Sequence, residues 1–462
     1  MIKAIMKKLR YDKNYNGEIY IDEVCSLINK GKYKEALKML NSNYKNIPSF
    51  LYFYYKGRIL YALNKMEKAI YYFNKHIELA KDKSYGYFHL GQIYKNMEKY
   101  DEAINYLNKA LFFNPNDYYT YLELALYYYM LENFEKALKY CNTAIELNPK
   151  DDYLYAFKGQ IELVLGNIDQ AEENAMLALK LNAEDVYPYI LFGDIYFKKK
   201  EYEKAIEYYK IAIRKDEKDF ESYFHLGKLF FDIENYDEAI KNFSKAFYLK
   251  KNFFDAILFR GTSYFNLKNY KKAIKDFLFL IKRKYNLYNV YYNIAGCYTY
   301  LKKYRIAIKY YKKALKINKN DKDLYFNLAA NYSMVKNYKK SLEALENYLI
   351  NNDPKDIDEY STIAITYSEN KKFKEAMKYY NKVIEINPND PFVYYNKALT
   401  LYYMKDYSEA KINFENFLKI VSKEDKLEIK RAKKILKKIK KKQSKNKWNM
   451  VSIHKKRYSF EK

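Results

Sequence analysis

The sequence predicts an all-α solenoid of tandem helix-turn-helix units, and three observations carry that expectation. First, the pattern aromatic, two polar, small, Ile or Leu keeps returning, with its small residue at Ala36, Ala69, Ala103, Ala137, Ala171, Ala205, Ala239, Ala273, Ala307, Ser341, Ala376 and Ala410. The steps are 33 residues once, 34 eight times, 35 once and 34 once. Second, from Ala69 onward another small residue stands twelve positions earlier: Gly57, Gly91, Ala125, Gly159, Gly193, Gly227, Gly261, Ala295, Ala329, Ala364 and Ala398. Third, 59 tyrosines and 28 phenylalanines supply core material while 11 glycines and 7 prolines leave few turn-formers for a sheet protein.

A chain of 462 residues is about three times a usual domain, so it is either several domains or one repetitive array. A 34-residue period is too short for a domain and suits two helices with two turns. Six of the 11 glycines occupy one slot of the period, although glycine inside a helix costs about 1 kcal/mol against alanine. That cost makes sense where the first helix of a unit (A) lies too close to the second (B) for a larger side chain, so the two small slots are read as the two sides of one contact.

The stretch from Ser84 illustrates the unit. Tyr87, Leu90, Gly91 and Tyr94 make one apolar face of helix A, and Ala103, Leu107 and Ala110 the inner face of helix B. Asn114 and Pro115 end helix B, as do Asn148 with Pro149 and Asn387 with Pro388. The chain then reads as a short segment over 1–16 and twelve units at 17–49, 50–83, 84–117, 118–151, 152–185, 186–219, 220–253, 254–287, 288–321, 322–356, 357–390 and 391–424. A basic capping helix over 425–442 and a basic, disordered tail over 443–462 follow. The cap rests on the stripe Leu427, Ile429, Ala432, Ile435, Leu436 and Ile439, because a terminal repeat needs its open face covered. A seam is expected between units ten and eleven, where the groove changes pitch. There Ser341 stands in the small slot, Tyr348 replaces the usual alanine, and the linker NNDPKDID holds an extra residue and Pro354. Ser341 fits by size and can return its hydroxyl to a carbonyl one turn earlier.

Charge and chemistry bound the function. The net charge is +28, yet 77 of the 85 basic residues are lysine and 8 are arginine. Specific base and phosphate recognition leans on the bidentate guanidinium, so specific DNA binding is not expected and much of the charge reads as solvated surface. Residues 423–462 carry 17 basic and 4 acidic residues, a basic segment suited to RNA or another polyanion. Cys25, Cys141 and Cys297 are too far apart in sequence for a CxxC motif and read as reduced, buried thiols. No apolar run approaches a transmembrane length and no signal peptide opens the chain, so a cytoplasmic setting is expected. With no phosphate-cradling glycine loop, no His-x-x-x-His and no nucleophile beside a base, the expectation is a noncatalytic protein without cofactor or metal.

The motif residues quoted above resemble the tetratricopeptide repeat family, over residues 17–424. The resemblance implies a right-handed superhelix whose concave face is lined mainly by A helices. It places on that face the positions one and five past the conserved aromatic. These include Tyr54 with Arg58, Phe88 with Gln92, Leu122 with Leu126, and Phe224 with Lys228. Tyr292, Phe326 and Tyr395 continue the first series, and Ala156 and Ile190 also belong to it, with Gln160 and Asp194 in the second. Such a ribbon suits a peptide or amphipathic helix, or packs between neighbouring A helices. Asn293, Asn327 and Asn396, two past the aromatic, are similar to asparagine ladders that hold an extended backbone, and His89 and His225 share that position. The Lys and Asn pair with which some members capture a terminal carboxylate is absent from every unit. The functional expectation is a scaffold or adaptor that binds protein segments in the groove; the alternative is an RNA-associated helical-repeat protein using the lysine-rich C-terminal segment.

Overall fold

The computed structural model describes residues 17–350 and 352–458, with side chains over 19–350 and 352–444. Among these residues the chain is entirely helical apart from its connections. Twelve A/B pairs follow one another: α1 Gly17–Asn29 and α2 Tyr33–Ser42, α3 Ser49–Ala62 and α4 Met66–Leu79, α5 Ser84–Asn96 and α6 Tyr100–Phe113, α7 Tyr118–Met130 and α8 Phe134–Leu147. Next come α9 Asp152–Leu165 and α10 Ile168–Leu181, α11 Tyr187–Lys198 and α12 Tyr202–Lys215, α13 Phe220–Asp232 and α14 Tyr236–Leu249, α15 Phe254–Asn266 and α16 Tyr270–Lys282. The last pairs are α17 Leu287–Tyr300 and α18 Tyr304–Ile317, α19 Lys322–Met334 and α20 Tyr338–Leu349, α21 Ile357–Glu369 and α22 Phe373–Ile386, α23 Pro391–Tyr403 and α24 Tyr407–Ile420, with α25 Lys426–Tyr458 closing the series. The segment 1–16 expected before the first unit lies outside the described residues.

The chain divides into two compact units, Met1–Leu229 and Phe230–Lys462. In the first, core clusters run from Val24, Leu40 and Phe73 to Ile93, then through Leu107 and Tyr127, Cys141 and Ile161, and Leu163 and Ile195. In the second they run through Phe277 and Cys297, Tyr311 and Leu345, Tyr380 and Val393, and Phe414 and Ile439. Each cluster draws on neighbouring repeats, because one helix pair has too little apolar surface to bury by itself.

The close approach of A and B is where the sequence places it. A Cβ built on Gly91 would stand 3.2 Å from the Ala103 carbonyl, and one on Gly159 would stand 3.1 Å from the Ala171 carbonyl. The structure adds a second occupant. The same Cβ would meet Leu107 at 2.9 Å, and on Gly57 or Gly261 it would meet the rings of Phe73 or Phe277 at 2.9 and 2.7 Å. The glycine therefore makes room for a bulky B-helix side chain sixteen positions later as well as for an alanine.

Between A and B the chain turns through a left-handed residue in all twelve repeats. The slot holds Gly31 and Gly166, but elsewhere Asn64, Glu98, Glu132, Lys200, Glu234, Lys268, Lys302, Lys336, Lys371 and Lys405 at positive φ. At Glu132 the geometry is a Schellman closure: the Asn133 N–H reaches the Tyr128 carbonyl at 2.9 Å and the Glu132 N–H the Tyr129 carbonyl at 3.0 Å. Asn133 then caps α8 by accepting from the Lys136 N–H. At the other end, Asn114, Asn148 and Asn387 do terminate α6, α8 and α22.

Three details differ from the sequence reading. The Ser341 hydroxyl bonds across the helix pair, 2.7 Å from the Ala329 carbonyl on α19, and not to its own preceding turn. The two small slots bring that carbonyl within reach. The last helix continues past 442 to Tyr458, over a lysine-rich stretch of α25 that contains neither proline nor glycine. Within α25, Ala432 and Ile439 are fully buried on the last repeat, but Leu427 is 55% exposed. Leu427 lies off the 429, 432, 436, 439 line that a helix presents to one neighbour.

The seam has its own internal structure. Helix α20 stops at Leu349, and the buried Tyr348 hydroxyl donates to Glu359 Oε2 at 2.5 Å. The same carboxylate oxygen accepts the Lys355 N–H at 2.6 Å, while Asp356 caps α21 by accepting from the Glu359 N–H. The tyrosine in the alanine slot thus ties the end of one repeat to the start of the next.

Candidate functional site along the A helices

The positions selected from sequence for the groove are largely engaged with one another. On α3 the Tyr54 ring is buried, packed edge-on against Tyr55 and Phe73, with the Arg58 guanidinium 5.7 Å from its centroid. Its hydroxyl meets His89 Nε2 at 3.2 Å, and His89 Nδ1 meets Gln92 Oε1 at 2.9 Å. The arrangement closes with the imidazole proton on Nδ1, donated to Gln92, and Nε2 accepting from Tyr54. Gln92 Nε2 passes the chain on to Glu123 at 3.3 Å. Burial, and next the Arg58 charge, lower the His89 pKa to about 3, so this histidine is neutral.

The repeat geometry reproduces the contact farther along. Asn327 Nδ2 donates to the Tyr292 hydroxyl at 3.2 Å, the same 35-residue separation as Tyr54 and His89, and to the Asp323 carbonyl at 2.8 Å. Both amide hydrogens of Asn327 are thereby used inside the protein. Asn293 and Asn396 are half-buried. Phe88, Leu122 and Tyr395 are buried, Tyr292, Phe224 and Phe326 half-buried. Phe326 lies 5.3 Å from the Tyr348 ring and Tyr395 5.0 Å from Phe417. Of the second series, Arg58, Gln92 and Leu126 are half-buried and Lys228 is exposed.

In the first compact unit the A helices open into a cleft of about 270 Å³, lined by Tyr129 of α7, Tyr153, Ala156, Phe157 and Gln160 of α9, Tyr187, Ile190 and Leu191 of α11, and Glu221 and His225 of α13. Four consecutive repeats contribute. Ala156, Gln160 and Ile190 are groove positions expected from the sequence; Tyr153, Phe157 and Tyr187 lie outside the two expected series and join them only in the folded cleft. The rings form a corner: Phe157 and Tyr153 are nearly parallel, 6.3 Å apart, and Tyr187 stands at 86° to Tyr153, 5.5 Å away. The Tyr187 hydroxyl points to the Glu221 carboxylate, and burial followed by that charge pushes its pKa up.

Behind the cleft, Asp194 Oδ1 accepts from the Tyr209 hydroxyl at 2.5 Å and from His225 Nδ1 at 3.0 Å. Burial opposes charge on both partners. The His225 imidazole nevertheless holds Asp194 below its ordinary value, and Asp194 holds His225 above its own. His89 and His225 thus belong to separate networks, and among the described residues there is no group of three or more His, Cys, Asp or Glu able to hold a metal. Cys25, Cys141 and Cys297 are buried free thiols, the last two pushed up to about 12 chiefly by burial. No helix among the described residues is long and apolar enough to cross a membrane. On α25, Lys426, Lys430, Lys433, Lys434 and Lys437 flank Ile429 along a shallow basic groove.

Comparison with known proteins locates the repeats independently. Models described as tetratricopeptide repeat match residues 21–84, 84–117, 118–151, 220–253, 288–321, 357–390 and 379–412, and one described as TPR repeat matches 193–233. Together they cover more than half of the chain. The Hsp70-Hsp90 organising protein of Plasmodium falciparum (isolate 3D7) is 42% identical over 62 residues, 13% of this chain and 11% of that protein. Among solved structures, the chain is similar to a tetratricopeptide repeat protein from Parabacteroides merdae, with 18% identity, 53% of this chain and 97% of that one covered, and a TM-score of 0.46. For the APC/C hetero-tetramer Cut9-Hcn1 the identity is 15%, the coverage 95% and 91%, and the TM-score 0.47. For a human IFIT1 dimer with PPP-AAAA they are 19%, 81% and 91%, and 0.49.

Proposed function

Because the chain belongs to the tetratricopeptide repeat family, we propose that it is a noncatalytic scaffold that binds protein segments along its A helices. The observation that carries this reading is the cleft that four successive A helices line with aromatic and aliphatic side chains, large enough for side chains of a bound segment. Elsewhere on the A helices the Tyr54–His89–Gln92 and Tyr292–Asn327 bonds turn side chains toward each other, which narrows the binding surface to the places where the ladder opens. The relative's name concerns the organisation of two chaperones, but this chain has no Lys and Asn pair at the two groove positions of any unit, so capture of a terminal carboxylate is not part of the proposal. The proposed setting is the cytoplasm, supported by three unpaired buried thiols.

The test is affinity capture on the full chain beside a Gln160→Arg variant, which places a charge in the cleft. Polypeptides retained by the first and lost by the second support the scaffold. Recovery of nuclease-sensitive RNA alone, equal on both, overturns it in favour of an RNA-associated role for the basic segment.

A further inference from the structure

We propose that the cleft between α7 and α13 seats a basic side chain, a lysine or an arginine, of the bound segment, with the rings of Tyr153, Phe157 and Tyr187 around the cation and the Glu221 carboxylate as its counter-charge. The inference rests on the scaffold reading and specifies what that scaffold recognises. Three features of the cleft lead to it. The rings make a corner, Phe157 and Tyr153 stacked at 6.3 Å and Tyr187 upright against Tyr153 at 5.5 Å. Tyr129 extends the wall, 5.6 Å from Phe157. A cation placed in such a corner meets the negative faces of the rings, an attraction that grows as water is excluded.

The charges agree with that geometry. The chain carries 77 lysines, yet no lysine or arginine is among the cleft's lining residues. The lining carboxylate, Glu221, is turned to Tyr187, and a carboxylate retains further acceptor positions after taking one hydroxyl. The lining histidine, His225, is bonded to Asp194, so its proton is balanced by a neighbouring carboxylate and does not repel a guest cation. An acidic, aromatic cleft in a protein of net charge +28 is complementary to a basic guest and opposite to the surface around it.

Selection of displayed random twelve-residue peptides against the full-length chain tests the proposal. The winning peptides are expected to share one fixed lysine or arginine. Its replacement by norleucine should weaken binding about tenfold, the scale of a desolvated cation–aromatic contact with a carboxylate partner. Glu221→Gln and Tyr187→Leu in the protein should each weaken binding of the basic peptide by a similar factor, and Glu221→Gln should leave the norleucine peptide almost unaffected. Tyr187 is 43% exposed, and far-UV circular dichroism checks that both variants retain their helices. Peptides that bind without a shared basic residue, or equally well to Glu221→Gln, overturn the cation seat and leave the scaffold standing. If no peptide is selected at all, both readings fall.

Discussion

Ser341 Oγ donates a 2.7 Å hydrogen bond to the carbonyl of Ala329, so the small residue of one helix is bonded to the backbone behind the small residue of the other. Ser341 is completely buried. In the remaining repeats an alanine fills the same space with no hydroxyl to satisfy. Replacing Ser341 by Ala keeps the volume and removes the bond, and should lower stability by about 0.5–1.5 kcal/mol in chemical denaturation. An unchanged denaturation midpoint would show that the bond contributes nothing.

Overpacking the same slot is costlier. Ala205 is completely buried on α12, whose Tyr209 ring crowds a Cβ built on Gly193. Ala205→Leu should destabilise by about 1–3 kcal/mol, and a neutral result would mean that the two helices are farther apart than described.

Arg260 of α15 holds Asp276 of α16 through two hydrogen bonds, Nε to Oδ2 at 2.8 Å and Nη2 to Oδ1 at 2.7 Å, and reaches Ser244 at 3.2 Å. Asp276 is 7% exposed. Asp276→Ala leaves a guanidinium without its counter-ion and should cost about 3–5 kcal/mol, whereas Arg260→Leu combined with Asp276→Leu should recover most of the loss. Additive damage in the double variant would contradict the pairing.

Two histidines give opposite pH dependences. Burial lowers His89 from 6.5 to about 3, so the unfolded chain takes up a proton that the native state refuses. Its contribution is therefore intact above 6.5 and is lost as pH falls toward 3. For His225 and Asp194 the shared ion pair is fully present between the ordinary values of 3.8 and 6.5. It weakens as pH rises through the elevated His225 value or falls through the depressed Asp194 value. Denaturation across pH should show a shallower acid loss for His89→Gln. The stability advantage of wild type over His225→Gln should be greatest between those two ordinary values, and a pH-independent difference would sink the ion-pair account.

The left-handed turn slot offers a gain. Glu132 adopts φ +57°, where a Cβ is strained, while Gly166 holds the equivalent position one repeat later. Glu132→Gly should stabilise by up to about 1 kcal/mol, visible as a higher denaturation midpoint.

Much of this architecture is legible in the amino-acid order because each repeat repeats its packing problem. Gly91 and Ala103 announce a close helix pair, and Asn114 with Pro115 announces a stop, through local sterics that need no knowledge of the rest of the chain. The left-handed slot is hidden because Lys and Glu carry no signal for positive φ; the Schellman bonds impose it. Leu427 stands outside the covered stripe because that stripe has finite width: the final repeat covers Ala432 and Ile439 and, in part, Ile429, Ile435 and Leu436.

Periodicity by itself determined the helix pairs and their close-contact slots, since these depend on side-chain size at fixed spacing. Tertiary structure decided which groove positions face each other. Tyr54 and His89 stand 35 residues apart, and Asp194 and His225 31, in adjacent A helices whose facing depends on how one repeat rotates onto the next. The same rotation gathers Tyr153, Phe157, Tyr187 and Glu221 around one cleft. No single repeat encodes that meeting, because the residues belong to three different helices and touch only after their shared apolar faces have packed.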